Sequence, residues 1–258
     1  MRVFAETSWA LRESLGFLTR NGHTVSLVGG GGKSTLMYFL AGYCARQGRR
    51  VLISTTTRIY APDGSLFARD EAETECLWDT GKFAVIGTPL PGTGKLAAPE
   101  DGFLRRMLER ADIAFIEADG AKHRPCKVPR AGEPVLHPQS DVVLGVFGLS
   151  AVGNPLAQAC FRPDAAGELL GVEPGHILTA EDAAEILSSP MGTRKGVGTR
   201  AYTVVLNQCD DGARRRTGEE IAARLARLGL PQVVMTAFDS AEREKINRMA
   251  RGEMRNEP

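Results

Sequence analysis

Short apolar runs alternate with amphipathic stretches along most of the chain. Positions 24–28, Thr-Val-Ser-Leu-Val, form a run of strand length, and four glycines follow. Over 34–47, Leu36, Phe39, Leu40 and Ala45 then recur at helical spacing. The same reasoning predicts strands over 51–53, 83–86, 113–116, 142–146, 202–206 and 232–235, and helices over 103–110, 179–187, 219–228 and 240–249. Thr179, with Asp182 three residues on, has the form of a capping box. Apolar positions at helical spacing over 9–18, stopped by Asn21-Gly22, predict an opening helix laid against the core. Strands that alternate with helices call for right-handed crossovers and a mostly parallel sheet covered on both faces. The expectation is one α/β domain over 1–258, P-loop NTPase-like and doubly wound, with 1–22 packed on it as an N-terminal helix. The Pro-rich stretch 120–140 and the Gly-rich stretch 190–200 read as long functional loops.

The most informative junction is strand, glycine turn, helix. Phosphate is held well by backbone N–H groups converging at a helix N-terminus, and glycine lets the chain curl that tightly. Gly29, Gly30, Gly31 and Gly32 fit that role. Lys33 would neutralise the β- and γ-phosphates, the Ser34 hydroxyl would enter the shell of Mg²⁺, and Thr35 would make a secondary phosphate contact. The long form GxxxxGK[ST] would need glycine where Leu27 stands. The shorter GxxGK[ST], seen in P-loop proteins such as the Mur ligases, is what the chain carries.

Two carboxylates leave the strand over 113–116. Alternation puts Glu117 and Asp119 on one side, at the sheet edge that a parallel topology sets beside the phosphate turn. One would hold Mg²⁺ and the other would position a nucleophile, with Asp119 the favoured metal ligand. Lys122, Arg124 and Lys127 follow as a basic cluster able to meet a phosphate or acidic substrate. Thr56 and Arg58 lie where a switch-like loop over 54–60 would approach the γ-phosphate or a second substrate. The run Asn207-Gln208-Cys209-Asp210 is close to the NKxD that reads guanine: Asp210 would accept from the guanine edge, and Asn207 would contact the base and tie neighbouring loops. Gln208 replaces the lysine that covers the base, so a plain strand-ending turn is an equal reading, and ATP and GTP both stay open.

Composition narrows the setting. The 32 Lys and Arg nearly cancel the 31 Asp and Glu, which argues against a nucleic-acid or membrane-surface partner. No apolar stretch reaches the length of a membrane span. The five cysteines are scattered, with no CxxC, as expected of a protein in a reducing cytoplasm.

Taken together, segments 28–35, 54–60, 116–129 and 206–210 resemble the YqeC family, accessory proteins of selenium-dependent molybdenum hydroxylases. The most specific piece is Glu117-Ala118-Asp119-Gly120-Ala121-Lys122 continuing through Arg124-Pro125 to Lys127-Val128-Pro129, a string that a generic P-loop does not predict. The resemblance implies a nucleotide site on a P-loop fold, with a molybdenum hydroxylase or its cofactor-maturation proteins as partners. Cys126 stands where an apolar residue is expected, and no catalytic role is carried onto it. Three activities fit: an NTPase or phosphoryl transferase using Lys33, Glu117 and Asp119; a nucleotide-gated switch; and a small-molecule kinase or Mur-like ligase, ranked last because the chain is short for a full set of ligase domains.

Overall fold

The structure is a computed structural model that describes residues 14–252. Half of the opening helix expected over 9–18 lies outside those residues; within them Ser14 is helical and a 3-10 turn follows at Gly16–Thr19. The N-terminal half runs β1 (His23–Gly29), α1 (Lys33–Ala45), β2 (Val51–Thr55), β3 (Arg58–Tyr60), β4 (Phe67–Ala68), α2 (Glu71–Asp79), β5 (Ala84–Ile86), β6 (Thr88–Leu90), β7 (Lys95–Ala97), α3 (Asp101–Arg110) and β8 (Ile113–Glu117). The C-terminal half runs β9 (Cys126–Lys127), β10 (Val142–Gly148), α4 (Leu156–Ala159), β11 (Cys160–Phe161), α5 (Pro163–Leu170), α6 (Ala180–Ser188), β12 (Ala201–Asn207), α7 (Gly212–Arg227), β13 (Val233–Met235) and α8 (Ser240–Arg251).

The central sheet has eight strands in the order β13-β12-β10-β1-β8-β2-β5-β4. Each neighbouring pair is parallel, as the strand–helix alternation predicts. Strand β1 lies at the centre, with β8 on one side and β10 on the other, so the chain order reverses there. Ligands of open α/β sheets bind at the C-terminal edge of such a switch point. Alternation along β8 shows how both faces are covered. Phe115 points into a core shared with Leu36 and Leu40 of α1 and Ile246 of α8, while Ile116 points into the opposite core with Leu104 and Met107 of α3. Each such buried side chain contributes about 1.5–3 kcal/mol through the apolar surface it removes from water. No helix of the described residues is long and apolar enough to cross a membrane.

Several elements depart from expectation. Helix α2 is absent from the sequence reading because it is acidic and buries only Thr74 and Trp78, one turn apart. It is fixed by an Asp70 N-cap and by Trp78 Nε1–H donating to Val51 O at 2.8 Å. Helix α7 starts at Gly212 rather than 219: Asp211 caps it, and its first turns are too arginine-rich to show an apolar stripe. The polar loop expected over 54–60 is shorter. Thr55 completes β2, the chain bends at Thr56 and Thr57, and Arg58–Tyr60 pairs antiparallel with β7 in a separate sheet ordered β3-β7-β6. The capping box at Thr179 and Asp182 forms as expected.

Candidate functional site

The glycine turn joins β1 to α1. Gly32, the N-cap of α1, has φ +106°, and a Cβ there would sit 2.6 Å from the Asn207 side chain; at Gly29 a Cβ would lie 2.2 Å from Val146 O. Both positions therefore exclude a side chain. The turn's N–H groups divide into two sets. Those of Gly29, Gly30 and Gly31 are used within the protein, donating to Asp119 Oδ2 at 3.1 Å, Val146 O at 2.9 Å and Arg124 O at 3.0 Å. Those of Gly32, Lys33, Ser34 and Thr35 have no hydrogen-bond partner among the described residues, as expected of a helix N-terminus, and no acid sits in that first turn. The first three glycines thus shape the turn, and the anion-facing donors begin at Gly32.

Glu117 and Asp119 both reach this turn but meet different partners. Glu117 Oε2 accepts from Ser34 Oγ at 2.7 Å. Asp119, 2% exposed, lies 3.0 Å from Lys33 Nζ and 3.3 Å from Lys127 Nζ. Lys33 Nζ also donates to Gly29 O at 2.6 Å. Burial raises the Glu117 carboxyl pKa above its ordinary value, against the pull of Lys33 and the Ser34 hydroxyl. Burial on its own would lower the Lys33 pKa, but Asp119 and Glu117 outweigh it and the net shift is upward, so the ammonium stays charged. Ser34 and Glu117, whose oxygens are in contact, are therefore freer to hold a cation than Asp119, which is committed to two lysines.

The basic cluster also separates. Lys127 is 1% exposed and bonded to Gly120 O at 2.8 Å and Glu133 at 3.1 Å as well as to Asp119, so it ties the 120–140 loop to itself and cannot reach a substrate. Lys122 and Arg124 are exposed and line a cavity of about 930 Å³ in front of the turn, together with Lys33, Ser34, Thr35, Arg58 and Glu117. Thr56 is not among that lining: its hydroxyl donates to Val135 O at 2.6 Å, and Thr57 faces the cavity instead. Thr35 Oγ1 donates to Asn247 of α8 at 3.0 Å. Lining residues absent from the sequence reading include Tyr38, Lys95, Glu133, Phe161, Arg162 and Arg251. They come from separate elements, and no local pattern joins them.

Asn207 ends β12 and Asp210 follows in the loop beyond it, and the two meet different partners. Asn207, 4% exposed, donates from Nδ2 to Gly31 O at 2.7 Å and accepts from Thr236 Oγ1 at 2.9 Å. These two bonds join the end of β12 to the glycine turn and to Thr236. Gln208 turns away at φ +65° to accept from Ser150 Oγ. Asp210 pairs with Arg214 at 2.9 Å and with Arg243 of α8 at 3.6 Å, outside the large cavity.

An all-parallel central sheet reversing at β1, with a GxxGK[ST] turn and an acidic strand end beside it, defines an α/β protein of the P-loop NTPase class. The family model described as YqeC protein matches residues 25–164, and the chain belongs to that family. It is 28% identical over 205 residues to the uncharacterized protein YqeC of Escherichia coli (strain K12), covering 72% of this chain and 77% of that relative. Among solved structures it shows a loose likeness to the hydrogenase maturation factor HypB from Archaeoglobus fulgidus: 14% identity, 92% of this chain and 91% of that chain covered, and a TM-score of 0.39.

Proposed function

We propose that the chain is a Mg²⁺-dependent nucleoside triphosphatase that binds ATP or GTP and serves as an accessory factor in maturation of a selenium-dependent molybdenum hydroxylase. The observation that carries the nucleotide reading is the α1 N-terminus, where the N–H groups of Gly32, Lys33, Ser34 and Thr35 lack partners among the described residues, beside the contact between Ser34 and Glu117. Those groups would bind the phosphates, and Lys33 would add its charge. The hydroxylase setting rests on the resemblance of Glu117 to Pro129 to the YqeC family.

Ser34 and Glu117 fit Mg²⁺. A hydroxyl and a carboxylate in contact are hard oxygen donors, and among the described residues no group of three or more His, Cys, Asp or Glu could hold a metal. That suits a cation that takes one or two protein ligands and completes its shell with phosphate oxygens and water. When bound, Mg²⁺ would neutralise charge between the transferring phosphoryl group and its leaving group. Asp119 would hold Lys33 and the 120–140 loop in place, and the catalysis would be positioning and electrostatics.

A second reading, a nucleotide-gated switch with slow turnover, is favoured by one specific contact. The 120–140 loop lies on the phosphate turn through Arg124 O and Gly31 N–H, so a change at the turn is felt directly by the loop. Phosphate release by wild type and Glu117→Gln, with Mg²⁺ and with EDTA, separates the readings. Multiple turnovers that need both Mg²⁺ and Glu117 support the triphosphatase; a single slow turnover supports the switch; release indifferent to Glu117 removes its assignment to the metal.

A further inference from the structure

The cavity in front of the turn has more cationic and aromatic lining than a triphosphate would use. Its acids are already engaged: Glu117 lies in the field of Lys33, and Glu133 pairs with Lys127 and Arg162. Arg58, Lys95, Lys122 and Arg251 all face it and have no carboxylate partner among the described residues. Four uncompensated cations around one concave site are costly to hold together and favour an anionic occupant.

Two aromatic platforms stand among those cations. Tyr60, 39% exposed, is stacked with His123 at a centroid distance of 6.0 Å and an interplanar angle of 22°, with Lys95 and Arg251 at 5.0 and 5.5 Å from its ring. Phe161 is flanked by Lys122 at 5.5 Å and Arg162 at 4.7 Å. Partial burial, reinforced by Arg251 and Lys95, lowers the His123 pKa, which disfavours the charged ring beside Tyr60. Lys122 and His123 both have left-handed backbone, with φ +46° and +61°. Such strain in non-glycine residues costs about 1–3 kcal/mol each and concentrates at ligand clamps. On the cavity wall, the buried hydroxyl of Tyr38 has no hydrogen-bond partner among the described residues. A buried donor of that kind calls for one.

We infer that this chamber is a second-ligand site for an anionic organic molecule carrying a flat ring, the ring lying against Tyr60 or Phe161 and its phosphate, sulfonate or carboxylate groups meeting Arg58 and Lys122. The inference deepens the nucleotide reading and rests on it, because the ligand is the partner substrate or effector of a nucleotide bound at the turn. The base of that nucleotide would lie toward the neighbouring cavity of about 260 Å³, which shares Asn247 with the large one and is also lined by Arg243, the partner of Asp210.

The test uses pyranine, a planar aromatic trisulfonate, followed by fluorescence anisotropy on the full chain, with and without saturating Mg²⁺ and a non-hydrolysable ATP or GTP analogue. Pyranine is expected to bind the nucleotide-loaded protein. Arg58→Gln with Lys122→Gln is expected to weaken it at least about tenfold, the loss of charge-assisted contacts. Tyr60→Leu is expected to weaken it about threefold or more, the loss of ring stacking. Inorganic tripolyphosphate, an anion without a ring, is expected to compete poorly. Displacement of pyranine by the nucleotide analogue would make the chamber the nucleotide's own pocket and overturn the proposal, as would equal binding by all variants whose melting temperatures match wild type. Failure of the analogue itself to bind refutes the nucleotide reading instead, and Lys33→Ala, expected to lose nucleotide but keep pyranine, separates the two failures.

Discussion

Asn207 offers a sharp test because its amide joins three separate parts of the site. Its Nδ2 holds Gly31 O, its Oδ1 receives Thr236, and its side chain occupies the space that a Cβ on Gly32 would need. Asn207→Ala removes two buried hydrogen bonds and leaves a carbonyl and a hydroxyl unpaired. At about 1–3 kcal/mol for each of the two unsatisfied groups, the expected loss is roughly 2–6 kcal/mol. For a chain of 258 residues, at about 2 °C per kcal/mol, that corresponds to a fall in melting temperature of roughly 4–12 °C. Because the turn loses its tether, ATP and GTP affinities should fall by a common factor, measured by calorimetric titration beside a thermal melt. A melting temperature within about 2 °C of wild type would refute the clamp, since the structural estimate starts well above that. A selective loss of one nucleotide would show that Asn207 reads the base instead.

Other expectations follow from the buried charges. Burial holds the folded Glu117 pKa above its ordinary 4.5, so its contribution to stability is complete below 4.5 and is lost as pH rises through the raised folded value. Glu117→Gln should therefore melt higher than wild type above that window while losing Mg²⁺-dependent nucleotide binding; a variant that melts lower at every pH contradicts the assignment. Lys127→Met strips a buried cation from Asp119, Glu133 and Gly120 O, and should destabilise the fold by about 3–5 kcal/mol in a denaturant titration. If stability is unchanged and only turnover responds, Lys127 touches substrate after all.

The parts of the site legible from sequence are those in which chemistry and local structure share one short segment. The β1 run, the glycines and the α1 periodicity lie within about two turns of one another, and Glu117 ends a strand whose apolar run is unmistakable. Lys127 shows the limit. In a run with Lys122, His123 and Arg124 it reads as one more solvated cation, and only the left-handed turn at Lys122 and His123 folds the chain back so that Asp119 and Glu133 enclose it. Gly30 and Gly31 show another: composition predicts N–H groups aimed at phosphate, but Val146 O and Arg124 O, from segments more than ninety residues away, take them. The wall of the large cavity was unreadable for the same reason. Tyr60, Phe161 and Arg251 are separated by long stretches of chain and meet only because the small antiparallel sheet, β11 and α8 converge at the C-terminal edge of the central sheet. The short acidic α2 and the arginine-rich start of α7 escaped because neither shows an apolar face long enough to have a period.

The central claim is that the turn from Gly29 to Thr35 holds a nucleoside triphosphate. Calorimetric titration of wild type and Lys33→Ala with ATP and with GTP, in the presence of Mg²⁺, tests it most directly. The account predicts that wild type binds at least one of the two, and that the folded variant loses roughly a hundredfold in affinity, the loss of two charge-assisted contacts to phosphate. Absence of binding to either nucleotide, or equal binding by a folded Lys33→Ala, would contradict it and leave the four glycines as a structural turn.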